Sequence, residues 1–249
     1  MNDIDVLISE VGPRDGLQSI DAIMPTEHKK EWIKAEAEAG VREIEVGSFV
    51  PPKLLPQMAD AFEIVQFAKT IPNLTVVALV PNFFGAKNAI EAGADKLCLP
   101  LSVSETHSQA NLNKSHNEVL EEIRKISEYI AKLDGSEKPD FEGNLSTAFG
   151  CTLEGSVSED KVVKLGAQMM ELGCDEVGLS DTTGYANPNQ CGACKQRLSS
   201  PDGEVTTRGR PFFFHDASSR KDRCIWCFES PPPPCKGCGA AMQLRQTSP

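Results

Sequence analysis

Aliphatic side chains nearly vanish from the last quarter of this 249-residue chain. Ile, Leu and Val number 44 in residues 1–190 and four in residues 191–249, namely Leu198, Val205, Ile225 and Leu244. A segment so poor in them cannot bury enough surface to offset the entropy of ordering it. Basic charge is also short. Lys and Arg total 25 against 36 Asp and Glu, a net charge of -11 with a pI near 4.9. That balance argues against nucleic acid and anionic membranes as partners. Neither a charged-then-apolar leader nor a long apolar span is present, so the chain is expected to be soluble and cytoplasmic. The cysteines, nine in all, do not form a paired framework. Cys98, Cys151 and Cys174 sit among apolar neighbours and read as reduced core thiols.

Composition breaks near Gln190. Residues 1–190 carry a net charge of -15 and residues 191–249 a net charge of +4. Six of the nine cysteines and the run Pro231 to Pro234 fall after the break. Two regions are therefore expected: a domain over 1–190 and an irregular, disordered tail over 191–249. Cys191-x-x-Cys194, Cys224-x-x-Cys227 and Cys235-x-x-Cys238 have the pair spacing of zinc knuckles. Little apolar sequence surrounds them, so free thiols are the expected state.

The first region repeats one joint. Glu38-Ala39-Gly40, Glu91-Ala92-Gly93 and Glu171-Leu172-Gly173 each close a helical pattern and precede a short apolar run. Parallel strands with crossover helices follow from that. Strands are predicted near 4–11, 43–49, 74–80, 95–99, 144–149 and 175–180. Helices are predicted near 26–39, 57–70, 82–92, 115–133 and 158–172, with another after Asn187. Thr26 and Ser158 are candidate caps, and Ser115 with Glu118 spells a capping box. Six strand–helix units of about 32 residues each match the density of a (β/α)8 barrel, here incomplete. A doubly wound open sheet is the alternative. The barrel is preferred because polar groups follow several successive strands.

Foremost among those groups is the run Val11-Gly12-Pro13-Arg14-Asp15-Gly16-Leu17-Gln18, at the end of the first strand. A carboxylate there can hold a divalent cation, and the adjacent guanidinium can neutralise an oxyanion beside it. Glu45 lies between Ile44 and Val46 and so points away from its apolar neighbours; pairing with Arg14 is its structural alternative. Ser48 follows the second strand, Asn82 the third, Glu105 and Asn111 the fourth, and Asp181 the sixth. His107 and His116 read as solvated loop histidines.

These residues resemble a known family. The Val11 to Gln18 string, Ile44-Glu45 with Ser48-Phe49-Val50, Pro52-Lys53, Leu55 to Met58, and Asp181-Thr182-Thr183-Gly184 look like hydroxymethylglutaryl-CoA lyase. More broadly they resemble the metal-dependent Claisen and aldol barrels. The resemblance implies retro-Claisen cleavage of 3-hydroxy-3-methylglutaryl-CoA to acetyl-CoA and acetoacetate, a step of leucine degradation and ketone body formation. It implies an acyl-CoA substrate, magnesium or manganese as cofactor, and a homodimer. By position Asp15 would ligate the metal and Arg14 would face the thioester oxygen. Glu45 would orient Arg14. Gln18, Ser48 and Asn82 would contact substrate, and Asp15 or Asp181 would take part in proton transfer. The family's second His of a His-x-His pair falls on His215, with Phe213 in place of the first. Its Gly-rich Cys loop and late Asn have no counterpart. A catalytically impaired barrel, or a lyase for a related acyl-CoA, is the competing expectation.

Overall fold

The computed structural model describes residues 6–199, 213–215 and 243–246. Strands and helices alternate through β1 (Val6–Glu10), α1 (Thr26–Glu38), β2 (Glu43–Ser48), α2 (Ala61–Ala68), β3 (Thr75–Leu79) and α3 (Phe83–Ala92). They continue through β4 (Lys96–Ser102), α4 (Glu105–Leu112), α5 (His116–Ile130), β5 (Asp140–Ser146), α6 (Glu159–Glu171) and β6 (Glu176–Ser180). The last elements are α7 (Pro188–Ser199), β7 (Phe213–His215) and β8 (Gln243–Gln246). Strands β1 to β7 pair in parallel, each with the next. Strand β8 runs antiparallel to both β7 and β1 and closes the barrel.

Six strand–helix units are thus present as the sequence predicts. The ring is completed from residues that composition placed in a disordered tail. Pairing an open sheet edge needs main-chain N–H and C=O groups, not aliphatic side chains, so composition carries no trace of it. The expected boundary at residue 190 falls inside α7, where Cys191, Cys194 and Leu198 are buried. Leu198 packs so close to Gly166 of α6 that a Cβ there would lie 3.0 Å from its methyl group. Burial pushes the Cys194 thiol up to about 11, so it stays protonated at neutral pH. The remaining Cys-x-x-Cys pairs lie outside the described residues.

Local choices explain the helices. In α5 the Ser115 hydroxyl accepts from the Glu118 N–H, and Glu118 Oε2 accepts from the Ser115 N–H at 2.8 Å. Such a cap contributes about 1 kcal/mol, whereas burying Val119, Ile123 and Ile126 contributes about 1.5–3 kcal/mol each. Packing therefore decides. Thr26 is not the expected cap: Pro25 precedes the helix at φ -55°, and the Thr26 hydroxyl donates to Asp60 Oδ2 at 2.8 Å. Helix α4 has only Ser108 buried and so shows no apolar stripe that periodicity could detect.

Along each strand the side chains alternate between two environments. Ile44, Val76, Leu97, Leu99, Phe141 and Val177 face outward into the apolar layer shared with the helices. Residues between them face the barrel interior, which is charged. Lys96 Nζ lies 2.6 Å from Glu142, contacts Glu176, and is 3.7 Å from Glu43. None of these four residues is more than 5% exposed. Glu43, Lys96 and Glu176 begin their strands, so they form the barrel floor. Burial raises the Glu176 carboxyl to about 8 against the pull of Lys96, and burial likewise raises Glu142. Burial disfavours the charge on Lys96, but Glu142, Glu176 and Glu43 outweigh it and hold the ammonium above the ordinary lysine range.

Candidate active site

After β1 the chain makes one wide turn over Gly12–Gly16, with the Arg14 and Asp15 amides both donating to the Val11 carbonyl at 3.1 and 2.7 Å. Gly12 is required for close approach: a Cβ would sit 2.7 Å from Glu10 Oε1 and 3.0 Å from the Trp32 ring. The turn directs Arg14 and Asp15 inward, where both are buried. Arg14 Nε donates to Glu45 Oε1 at 2.8 Å and Nη2 to Oε2 at 2.9 Å. Its Nη1 donates to Asp15 Oδ1 at 2.7 Å, and Gln18 Nε2 donates to the same oxygen at 3.2 Å. Burial works against the guanidinium charge, but Glu45 and Asp15 more than offset it, so Arg14 is fixed as a cation.

Two vacant hydrogen-bonding positions stand out among the described residues. Asp15 Oδ2 is buried and accepts from no donor, and the Ser48 hydroxyl is buried without a partner. A guanidinium has five N–H donors, so the three bonds above leave two of Arg14's free. Ser48 reaches the interior through a bulge in β2. Pairing with β3 shifts between Glu45 and Gly47. Gly47 then lies against α2, where a Cβ would meet Ala61 at 3.2 Å, and Ser48 returns to the barrel side. Leaving buried polar atoms unsatisfied costs about 1–3 kcal/mol each, an arrangement expected where a ligand completes the bonding.

The structure brings together Arg14, Asp15, Gln18, Glu45 and, on the neighbouring strand end, Ser48. It does not bring in Asn82, whose Oδ1 caps α3 by accepting from the Gly85 N–H at 2.9 Å. Asp181 is buried, but its two oxygens accept the Tyr185 and Ala186 N–H groups at 3.0 Å each. It holds the loop after β6. Glu105 lies 3.6 Å from His116, and Asn111 is exposed on α4. Of the two histidines, His116 is not solvated and His107 is only part-exposed. His116 is buried and its Nε2 lies 2.8 Å from the Ser102 carbonyl; half-buried His107 has Nδ1 2.7 Å from Ser102 Oγ. Helix α4, invisible to periodicity, carries His107 over the end of β4, and His116 opens α5.

Sequence reasoning also missed Ser102, Ser146, Asn144 and Ser180. Ser102 Oγ lies 2.9 Å from Ser146 Oγ, and Ser180 Oγ donates to Asn144 Oδ1 at 2.7 Å. The signal was present as polar residues at every second position of β5 (Glu142, Asn144 and Ser146) and at the two ends of β6 (Glu176 and Ser180).

A divalent ion would need more than the described residues supply. Asp15 Oδ2 is one suitable donor, but no group of three or more His, Cys, Asp or Glu is placed to hold a metal among the described residues. His215 ends β7, paired with Ser180, and its side chain lies outside the described residues. One oxygen is not an octahedral site.

The HMGL-like family model matches residues 5–202. Hydroxymethylglutaryl-CoA lyase of Bacillus subtilis is 39% identical over 185 residues, 74% of this chain and 60% of that protein. The mitochondrial hydroxymethylglutaryl-CoA lyase of Bos taurus is 36% identical over 211 residues, 85% of this chain and 63% of its own length. The chain thus spans about three fifths of the curated relatives it matches. A crystal structure of the Bacillus subtilis HMG-CoA lyase superposes with a TM-score of 0.74 at 36% identity, covering 87% of this chain and 70% of that one. An HMG-CoA lyase from Acinetobacter baumannii, in complex with coenzyme A and 3-methylmalate, gives 0.71 at 36% identity, covering 83% and 65%. No described helix is long and apolar enough to cross a membrane. By the extent of the family match, by the relatives' identity and by the barrel they share, this chain belongs to the HMGL-like family.

Proposed function

We propose that the chain cleaves 3-hydroxy-3-methylglutaryl-CoA to acetyl-CoA and acetoacetate. The observation that carries this reading is the buried Arg14, clamped edge-on by Glu45 with two N–H groups free beside the open Asp15 oxygen. Loss of the proton from the substrate's 3-hydroxyl lets the C2–C3 bond break. Its electron pair then passes into the thioester enolate, and C2 finally gains a proton. Arg14 donates to the thioester oxygen as negative charge gathers there, an interaction stronger in the transition state than in the ground state. Glu45 fixes the fork and needs no reorganisation during reaction. Gln18 and Arg14 steady Asp15, and Ser48 supplies a hydroxyl to the bound acyl group.

Family likeness supports a requirement for magnesium or manganese, with Asp15 Oδ2 as the described residue suited to ligate it. When bound, such an ion would acidify the substrate hydroxyl. The same likeness supports an acyl-CoA substrate. The test is acetoacetate release by the purified chain supplied with magnesium and the thioester. No release, with the barrel folded, refutes the assignment.

A second reading is a barrel that binds acyl-CoA without turnover, favoured by the absence of a metal-holding cluster among the described residues. Release of acetoacetate that Asp15→Ala abolishes would reject it.

A further inference from the structure

We propose that Gln57 is a positioning residue: it latches the segment that follows the Arg14–Asp15 turn and so fixes the direction of the open Asp15 oxygen. The role rests on the cleavage proposed above. Gln57 lies in the single helical turn Pro56–Met58 that precedes α2, and its Nε2 donates to the Ile20 carbonyl at 2.6 Å. Its own carbonyl accepts from Lys29 Nζ of α1 at 2.5 Å. Lys29 also pairs with Asp60 Oδ1 at 2.6 Å, and Asp60 Oδ2 accepts from the Thr26 hydroxyl. Lys29 is buried, so the residue that carries the latch is itself held by a buried ammonium where α1 and α2 begin.

The segment from Leu17 to Pro25 has little else to fix it. Leu17 is buried, but residues 19–23 are all exposed, Ile20 and Ile23 with 47% and 61% of their surface in water. Its other hydrogen bonds are local. The Ser19 N–H donates to the Gly16 carbonyl at 3.3 Å, and the Ser19 hydroxyl to the Asp15 carbonyl at 2.8 Å. Gln18 Nε2 donates to Asp15 Oδ1, and the Pro25 carbonyl accepts from the first turn of α1. Among the described residues, Gln57 is the one hydrogen-bonding partner that reaches the segment from beyond α1. Two of the local bonds end on Asp15, and the residues that make them directly precede Ile20. Holding the Ile20 carbonyl therefore holds Gln18 and Ser19 to Asp15. Arg14 and Gln18 together occupy Oδ1 and leave Oδ2 open. With Gln18 withdrawn, Oδ1 would keep a single donor about which the carboxylate can turn, and the open oxygen would lose its aim.

Helix anchoring does not account for this side chain. Lys29, Asp60 and Thr26 already join the starts of α1 and α2 without it. Gln57 Oε1 is moreover buried and accepts from no donor, so the amide does not sit where its own polar atoms are best satisfied. A bare buried acceptor is unfavourable, and the side chain keeps one while its N–H reaches the Ile20 carbonyl.

The experiment uses Gln57→Glu, which keeps the shape and removes the donor, with Gln57→Ala in its place should the first variant not fold. Thermal midpoints report folding. The Leu17 N–H donates into the Gly12–Gly16 turn and the Ser19 N–H to Gly16, so both amides sense the latch. In the substrate-free protein their hydrogen exchange should rise by roughly five- to tenfold, the worth of one hydrogen bond, while exchange in β3 stays as in wild type. Turnover should fall by a similar factor in kcat with KM nearly unchanged. Action through Gln18 makes the losses non-additive, so Gln57→Glu combined with Gln18→Ala should turn over no more slowly than Gln18→Ala alone. Unaltered exchange would overturn the latch. Raised exchange with wild-type kcat, or fully additive losses, would overturn the positioning of Asp15. A wild-type chain that releases no acetoacetate would instead overturn the proposed function, on which the exchange measurement does not depend.

Discussion

The guanidinium of Arg14 meets the carboxylate of Glu45 edge to edge, Nε on Oε1 at 2.8 Å and Nη2 on Oε2 at 2.9 Å. Both groups are buried, and they join the turn after β1 to the middle of β2. Glu45→Ala would strand a buried cation, so we expect a loss of about 3–5 kcal/mol in unfolding free energy, measured by urea titration. A loss under about 1 kcal/mol would show that Arg14 finds another partner.

Arg14→Lys keeps the charge but not the planar fork. A lysine cannot satisfy both Glu45 oxygens and also reach Asp15 and an incoming oxyanion. Steady-state kinetics should show kcat reduced by roughly 100- to 1,000-fold, the usual cost of removing an oxyanion donor. Activity within tenfold of wild type would remove Arg14 from the chemistry.

Asp181→Asn separates loop support from catalysis. The amide cannot accept both the Tyr185 and Ala186 N–H groups, so one bond is lost, about 1 kcal/mol in stability. Turnover should fall less than tenfold. A collapse of kcat at unchanged stability would restore Asp181 as a proton carrier.

The charged floor makes stability depend on pH. Glu176 titrates near 8 when folded, against about 4.5 in the open chain, so the folded state holds the extra proton between those values. Its stabilising contribution is complete below about 4.5 and is lost as pH rises toward 8. Urea unfolding of wild type should therefore show declining stability from pH 5 to 8. Glu176→Gln should be matched with wild type at pH 5 and gain relative stability of a few kcal/mol at most by pH 8. Parallel curves for the two proteins would show that the proton resides elsewhere.

Much of this was legible in the residues. Arg14, Asp15 and Glu45 announced themselves because a Gly-Pro turn ends an alternating strand and a lone acid interrupts an apolar one. The three Glu-x-Gly joints likewise disclosed parallel units. Lys96 and Glu142 were illegible because strand reading expects apolar interiors, and a barrel lumen filled with ion pairs defeats that expectation. Helix α4 escaped because its cohesion comes from caps and hydroxyl bonds, not from a stripe. Strands β7 and β8 escaped because main-chain pairing leaves no compositional mark.

The alternation of every strand between an oily annulus and a polar lumen divides labour by radius. Apolar cohesion resides in the outer ring, so lumen substitutions that keep each buried charge paired leave that packing intact. Descendants of such a barrel are free to diversify their chemistry from within, at a pace that shape does not restrain.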